Sequence, residues 1–508
     1  MNKSVLLIAI NQNTACGLRY LSASLALDNI NSYILYYFND HPENLNILSQ
    51  FIENNNIGIV GISVFSTFKQ TAISITSFLK KKHDIPIVWG GSHVNSCPDD
   101  AIIYSDFIAL QDCEIALREF AQKYFKKLDV SSCSNFWIRS GNQIFKNPVK
   151  IIEDIDALPL PDWDIGNKYF IKDGKIEAEA ESQIEQVYCV FGSRGCPYEC
   201  TYCANKVMKI NCGVNSNYYK VRKVENIILE IEETIKRFPR IYNIAFYDEL
   251  FGADPKWVEE FCQKYSRRIN IPFGIISSPS VMNKDKMTAL KHAGLATIGF
   301  GLQSGSVRMR KIYNRSEKLD KIREVNRIAN KLKLVQSFDI IVDNPLDDKD
   351  SLIETLRFLL TLRKPFLPRT FDLVYLPQTD LTRKLLDEGY ITKDQIEGNG
   401  DDKAYWLWRV DKRNLEQKQY SYIIALIQLT GNILIPNWAI KMMLKFDDKK
   451  CHRLKNLVEN SILKESFYYK SAMINTIVAH KKLVLIKKII NRIYFKALKL
   501  LKPVRKDK

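Results

Sequence analysis

Two successive series of short, continuous apolar runs, each separated from the next by a helical stretch, limit what this chain can fold into more than any other feature. In the first series the runs are Val5–Ile10, Tyr33–Phe38, Ile57–Val64, Ile85–Trp89 and Phe107–Leu110. Leu18–Leu27, Lys69–Lys82 and Glu114–Phe125 are patterned as helices among them. Runs without polar alternation suit strands covered on both faces, and their alternation with helices predicts a doubly wound, Rossmann-like parallel sheet.

The second series runs through Val187–Phe191, Asn243–Tyr247, Phe273–Ser277, Thr297–Gly301, Phe338–Val342 and Thr370–Leu376. Its helices are expected at Val224–Phe238, Pro255–Arg268, Lys284–His292, Glu317–Leu334, Asp350–Arg363 and Leu381–Glu388. Six strand–helix repeats predict a parallel barrel or partial TIM barrel, (βα)6, with its chemistry at the C-terminal ends of the strands.

The fold class expected is therefore α/β, and 508 residues leave room for about three domains at roughly 100–200 residues each. Residues 1–150 read as the first domain, 151–186 as an extended connector containing ALPLPDWD, 187–395 as the barrel, and 396–508 as a helical region with a basic tail. Eleven Lys and Arg against Asp507 fall within Lys481–Lys508, so +10 of the net +17 sits in that tail. The body gives little reason to expect nucleic acid. The tail suits either an anionic membrane surface or packing on the barrel, its apolar residues favouring packing. YWLWRV (Tyr405–Val410) and ILIPNWAI (Ile433–Ile440) suit a pocket for an apolar substrate or plain core equally well.

The apolar run Val5–Ile10 is shorter than a signal-peptide core, and no stretch approaches the ~18 uncharged apolar residues of a membrane span. A cytoplasmic chain, peripheral at the inner membrane face if the tail binds there, is expected. The eleven cysteines then stay reduced, and clustered ones read as metal ligands before disulfides. Cys196, Cys200 and Cys203 form C-x3-C-x2-C in GSRGCPYECTYCAN, directly after the first strand of the second series. Soft thiolates suit zinc or an iron–sulfur cluster. A structural zinc wants four ligands, with Cys189 or Cys212 as the fourth, and favours paired C-x2-C knuckles, of which there is one. Three sulfurs on one loop instead hold three corners of a cubane and leave the fourth iron open.

RGCPYECTYC, including Tyr202 before the last cysteine, resembles the cluster motif of the radical S-adenosylmethionine (SAM) superfamily, and the resemblance extends over about 187–380. It implies a 4Fe–4S cluster on Cys196, Cys200 and Cys203, SAM on the open iron, and one-electron cleavage of SAM to methionine and a 5′-deoxyadenosyl radical. A small-molecule substrate and an electron donor such as flavodoxin or ferredoxin are implied with it. FYDELF offers Asp248 and Glu249 near SAM's amino end, or as a solvated pair capping the next helix. GFGLQSGS resembles a stretch that usually reads G-x-E-S-G; it offers Gln303 and Ser304 to SAM, with a neutral amide where the acid usually stands.

The first domain resembles the cobalamin-binding domain joined to many radical SAM enzymes, through ACGLRYLSASL, VGISVFST, IVWGGSHVNSCPDDA and LQDCEIALREF. The resemblance implies cobalamin in the sheet crevice, lined by Ser63, Gly90, Gly91 and His93, and methyl transfer to an unactivated carbon. The alternatives are radical rearrangement or cyclisation, or a non-catalytic iron–sulfur redox protein. Two departures stand out: no histidine has the Asp-x-His-x-x-Gly context that ligates cobalt in some cobalamin proteins, and Gln111-Asp112-Cys113-Glu114 replaces a common Gly-Glu-Gly-Glu turn. A domain that only scaffolds the barrel is the other reading.

Overall fold

A computed structural model describes residues 3–12, 14–179, 187–211, 213, 218–397, 420–433 and 435–444. The strands of the first sheet are β1 (Ser4–Ile10), β2 (Ser32–Tyr37), β3 (Ile57–Ser63), β4 (Ile87–Gly90), β5 (Phe107–Ala109), β6 (Phe136–Ser140), β7 (Gln143–Lys146), β8 (Lys168–Lys172) and β9 (Lys175–Ala178). Their order is β7-β6-β5-β4-β3-β1-β2-β8-β9. β1 to β5 and β8 run parallel, and the order reverses between β1 and β3. Ligands of open parallel sheets bind outside the carboxyl ends at such a switch point. Along β1, Leu6, Ile8 and Ile10 enter the core on one face while Val5, Leu7 and Ala9 enter the core on the other. That is why the run carries no polar alternation.

Two hairpins extend this sheet beyond the expected strands. β6 and β7 turn at Gly141-Asn142, and β8 and β9 turn at Asp173-Gly174 with both residues at positive φ, 52° and 71°. The segment expected as a connector thus lends two strands to the first sheet. It is also pinned to the helix Cys16–Ala26: Asp162 accepts from Ser22 and Lys168, and buried Arg19 pairs with Glu179 at 2.7 Å.

The second sheet contains β10 (Val187–Val190), β13 (Asn243–Phe246), β14 (Phe273–Ser277), β15 (Leu295–Gln303), β16 (Val335–Val342) and β17 (Leu367–Asp372), all parallel and in chain order. This is the six-stranded partial barrel. A two-stranded ribbon, β11 (Ser193–Arg194) with β12 (Lys220–Val221), projects after β10. The helix Ser421–Leu429 is buried along its length and joins the barrel core. In the next short helix, Asn437–Met443, Ile440 is buried and Trp438 exposed, while Ile433 before it is exposed and Ile435 packs on the barrel core. Tyr405–Val410 and Lys481–Lys508 lie outside the described residues.

Candidate radical SAM site

The cysteine loop leaves β10 through the ribbon strand β11. At Gly195 (φ 80°) a Cβ would fall 2.0 Å from the Tyr218 carbonyl oxygen, so only glycine fits. The loop then crosses the barrel mouth. Thr201 bonds the carbonyls of Ile312 and Tyr313, Asn314 Nδ2 donates to Glu199 O, and Leu381 N–H donates to Thr201 O. The cysteines are therefore held over the C-terminal strand ends by segments that follow β15 and β17.

Cys200 is buried, while Cys196 and Cys203 are partly exposed. Burial pushes the Cys196 thiol up to about 11 and Cys203 up to about 12, so binding metal here must displace protons. Arg315 Nη1 lies 3.5 Å from Cys200 Sγ, and Asn205 Nδ2 lies 3.6 Å from Cys203 Sγ. Donors aimed at sulfur stabilise thiolate charge. Among the described residues no three His, Cys, Asp or Glu groups are placed to hold a single ion. A cubane needs no such convergence, because each thiolate meets a different iron.

The expected SAM residues divide. Tyr202 packs edge-on against Tyr313 at 5.3 Å, and its hydroxyl bonds Cys200. Asp248 is buried and turned inward: it accepts from Ser193 Oγ and Gly192 N–H, which brace the start of the cysteine loop. Ser304 is spent on Thr355 and on the Ser306 amide. Glu249 presents its side chain to open space, yet its surroundings enclose it enough to raise its carboxyl, against the bond from Asn205. Gln303 sits at φ 57°, where β15 shifts register, and its Oε1 is a buried acceptor without a partner. A strained residue with an orphaned acceptor at a strand end fits a missing ligand. Cysteines, orphaned amide and flanking guanidinium suit a cluster with SAM beside it.

In the first sheet, Ser63, Gly90 and Gly91 do line the carboxyl edge. A Cβ at Gly91 (φ 95°), however, would meet Val64 O at 2.9 Å and Val64 N at 3.0 Å. The Val64 backbone itself occupies the space beside Gly91. His93 is buried and both ring nitrogens are engaged: Nδ1 with Ser66 Oγ at 3.0 Å and Nε2 with Asp100 Oδ2 at 2.9 Å. It stands in the short helix Ser92–Ser96 with neither ring nitrogen free. A cavity of about 360 Å³ lies beside it, lined on the far side by Asn211, Pro377, Gln378 and Arg383 of the second unit. The helix Ala204–Asn211, which follows the cysteines, packs on the crevice helix Ser92–Ser96.

Residues 190–359 match the family model described as the radical SAM superfamily, and they form a radical SAM domain. That domain implies a 4Fe–4S cluster and SAM. An uncharacterized methyltransferase of Pyrococcus horikoshii is 21% identical over 319 residues, 61% of this chain and 66% of the relative. The anaerobic magnesium-protoporphyrin IX monomethyl ester cyclase of Cereibacter sphaeroides is 22% identical over 216 residues, 41% of this chain and 32% of that protein. The chain thus spans just under two thirds of the first relative and about one third of the second. Two solved structures share the fold: the radical SAM methyltransferase TsrM from Kitasatospora setae (TM-score 0.63, 12% identity, 76% of each chain) and the radical SAM enzyme OxsB (TM-score 0.58, 18% identity, 78% of this chain and 56% of that one).

Proposed function

We propose that this chain is a radical SAM methyltransferase whose first domain binds a corrinoid, and that it methylates an unactivated carbon of a small-molecule substrate. One observation carries the reading: the helix that begins at the last cysteine seats on the crevice edge of the first sheet, with the cavity at their junction. A group in that crevice would face the cysteine loop across a short distance. TsrM and OxsB are described as holding cobalamin, and the first relative is named a methyltransferase. When bound, the cluster supplies the electron that cleaves SAM, and the corrinoid carries the methyl group.

The chain's own residues orient and shield. Gln303 Oε1, a buried acceptor without a partner, would accept from a SAM hydroxyl or ammonium, and Glu249 would offer its carboxylate from the end of β13. The barrel wall would shield the bound groups from water. A low-potential donor such as flavodoxin or ferredoxin would dock at the exposed edge of the cysteine loop. A cytoplasmic location suits this chemistry; among the described residues no helix is long and apolar enough to cross a membrane.

The test uses anaerobically reconstituted protein, dithionite, and SAM labelled in its methyl group. Release of 5′-deoxyadenosine together with label in the product supports the proposal. 5′-Deoxyadenosine with an unlabelled, rearranged or cyclised product would move it to the cyclase type of chemistry. No 5′-deoxyadenosine from a reduced, fully loaded protein with substrate present would leave an iron–sulfur redox protein.

A further inference from the structure

The turn Gln111-Asp112-Cys113-Glu114, which stands where the domain it resembles often has Gly-Glu-Gly-Glu, lies against the second unit. Asp112 Oδ1 accepts from Arg194 Nη1 at 2.8 Å, and Glu114 Oε1 accepts from Arg194 Nη2 at 2.7 Å. Asp112 Oδ2 accepts from Lys220 Nζ at 2.6 Å, on the ribbon strand paired with Arg194. Gln111, at φ 63°, donates its amide N–H to Asn95 and its side-chain Nε2 to the Met208 carbonyl, 3.2 Å away. Asn211 returns two bonds, to the carbonyls of Asn95 and Ser96.

Placed on the chain, these contacts bracket the cysteines. Arg194 stands two residues before Cys196; Met208 and Asn211 stand on the helix that follows Cys203. Both ends of the cluster loop are thus fastened to the first domain. The guanidinium uses its fork to hold two carboxylates of one turn, and its planar donors fix direction as well as distance. Tyr20, from the first helix, lies under the guanidinium at 5.4 Å.

We infer that Asp112 and Glu114 are positioning residues of the radical SAM site: through Arg194 the first domain sets the geometry of the cysteine loop. The inference rests on the cluster reading of that loop and not on corrinoid binding. It gives the first domain a role in the barrel's chemistry even with its crevice empty.

The experiment uses the full chain, reconstituted anaerobically without SAM or corrinoid. Three variants are compared with wild type: D112N/E114Q, R194K, and E232Q as a control in an exposed ion pair with Arg268 on the outer helices. The readouts are near-UV circular dichroism for the fold, the rate of cluster loss to an iron chelator, and the EPR line shape of the reduced cluster. Outer-sphere partners of metal ligands typically change metal affinity by about 10–100-fold. D112N/E114Q should therefore lose cluster about 10-fold faster, with altered g values and an unchanged fold. R194K keeps the charge without the fork and should fall between; E232Q should match wild type. Folded D112N/E114Q with wild-type retention and line shape would overturn the inference while the cluster reading stands. If the double variant does not fold, E114Q alone decides by the same readouts. A wild-type chain that takes up no cluster overturns both.

Discussion

Burial raises Asp248, Cys196 and Cys203 alike, but they answer to different tests. Asp248 is pushed up to about 6 by burial, partly offset by its bonds from Ser193 and Gly192. Because the folded pKa is raised, its contribution to stability is fully present below about pH 4 and is lost as pH rises through about 6. At ~1.4 kcal/mol per unit the effect is bounded at roughly 3 kcal/mol. Asp248→Asn should flatten the pH dependence of denaturant unfolding in that window, and an unchanged slope would refute the assignment. Replacing Cys196, Cys200 and Cys203 together by Ala should abolish the visible iron–sulfur absorbance of reconstituted protein; full absorbance in that triple variant would show that the cluster, if any, sits elsewhere. The cysteines were legible because three soft ligands within eight positions have few other uses. Arg315 was not, since nothing local marks an arginine 112 positions past Cys203 as a partner of Cys200.

At the level of elements, buried strands announce themselves and edge strands do not. β1 and β3 lie between two layers, so every position must be apolar or small. β7 and β9 expose all their residues, and their sequences QIFK and KIEA carry no face to detect. The remaining signal was in the turns: Gly141-Asn142 and Asp173-Gly174 are two-residue hairpin dipeptides. The two crevice glycines differ in what surrounds them. Gly90 has room, with Ala109 O at 3.7 Å from an added Cβ, whereas Gly91 has both positive φ and a filled site. Gly91→Ala should therefore cost about 1–3 kcal/mol in unfolding free energy, and Gly90→Ala well under 1. Equal costs measured by denaturant titration would contradict the close approach to Val64.

The joining of the two units was the least legible feature, because it depends on pairs such as Glu114–Arg194 and Tyr20–Glu230 that lie far apart in the chain. It is also what the corrinoid proposal rests on. The crevice opens on a cavity whose opposite wall belongs to the second unit, and the histidine nearest to it already spends both nitrogens on Ser66 and Asp100. Freeing His93 to ligate cobalt would leave Asp100 with Lys69 alone and cost the bond to the half-buried Ser66 hydroxyl, about 0.5–1.5 kcal/mol per hydrogen bond lost before any ligation. Full-length, cluster-loaded protein should therefore bind hydroxocobalamin saturably, with a spectrum lacking a protein nitrogen ligand. His93→Asn should weaken the fold yet leave that spectrum in place. A changed spectrum in the variant would mean that the histidine leaves its network for the metal. The absence of saturable binding would reduce the first domain to the part that fastens the cysteine loop, and methyl transfer through a corrinoid would fall while the radical SAM domain stands.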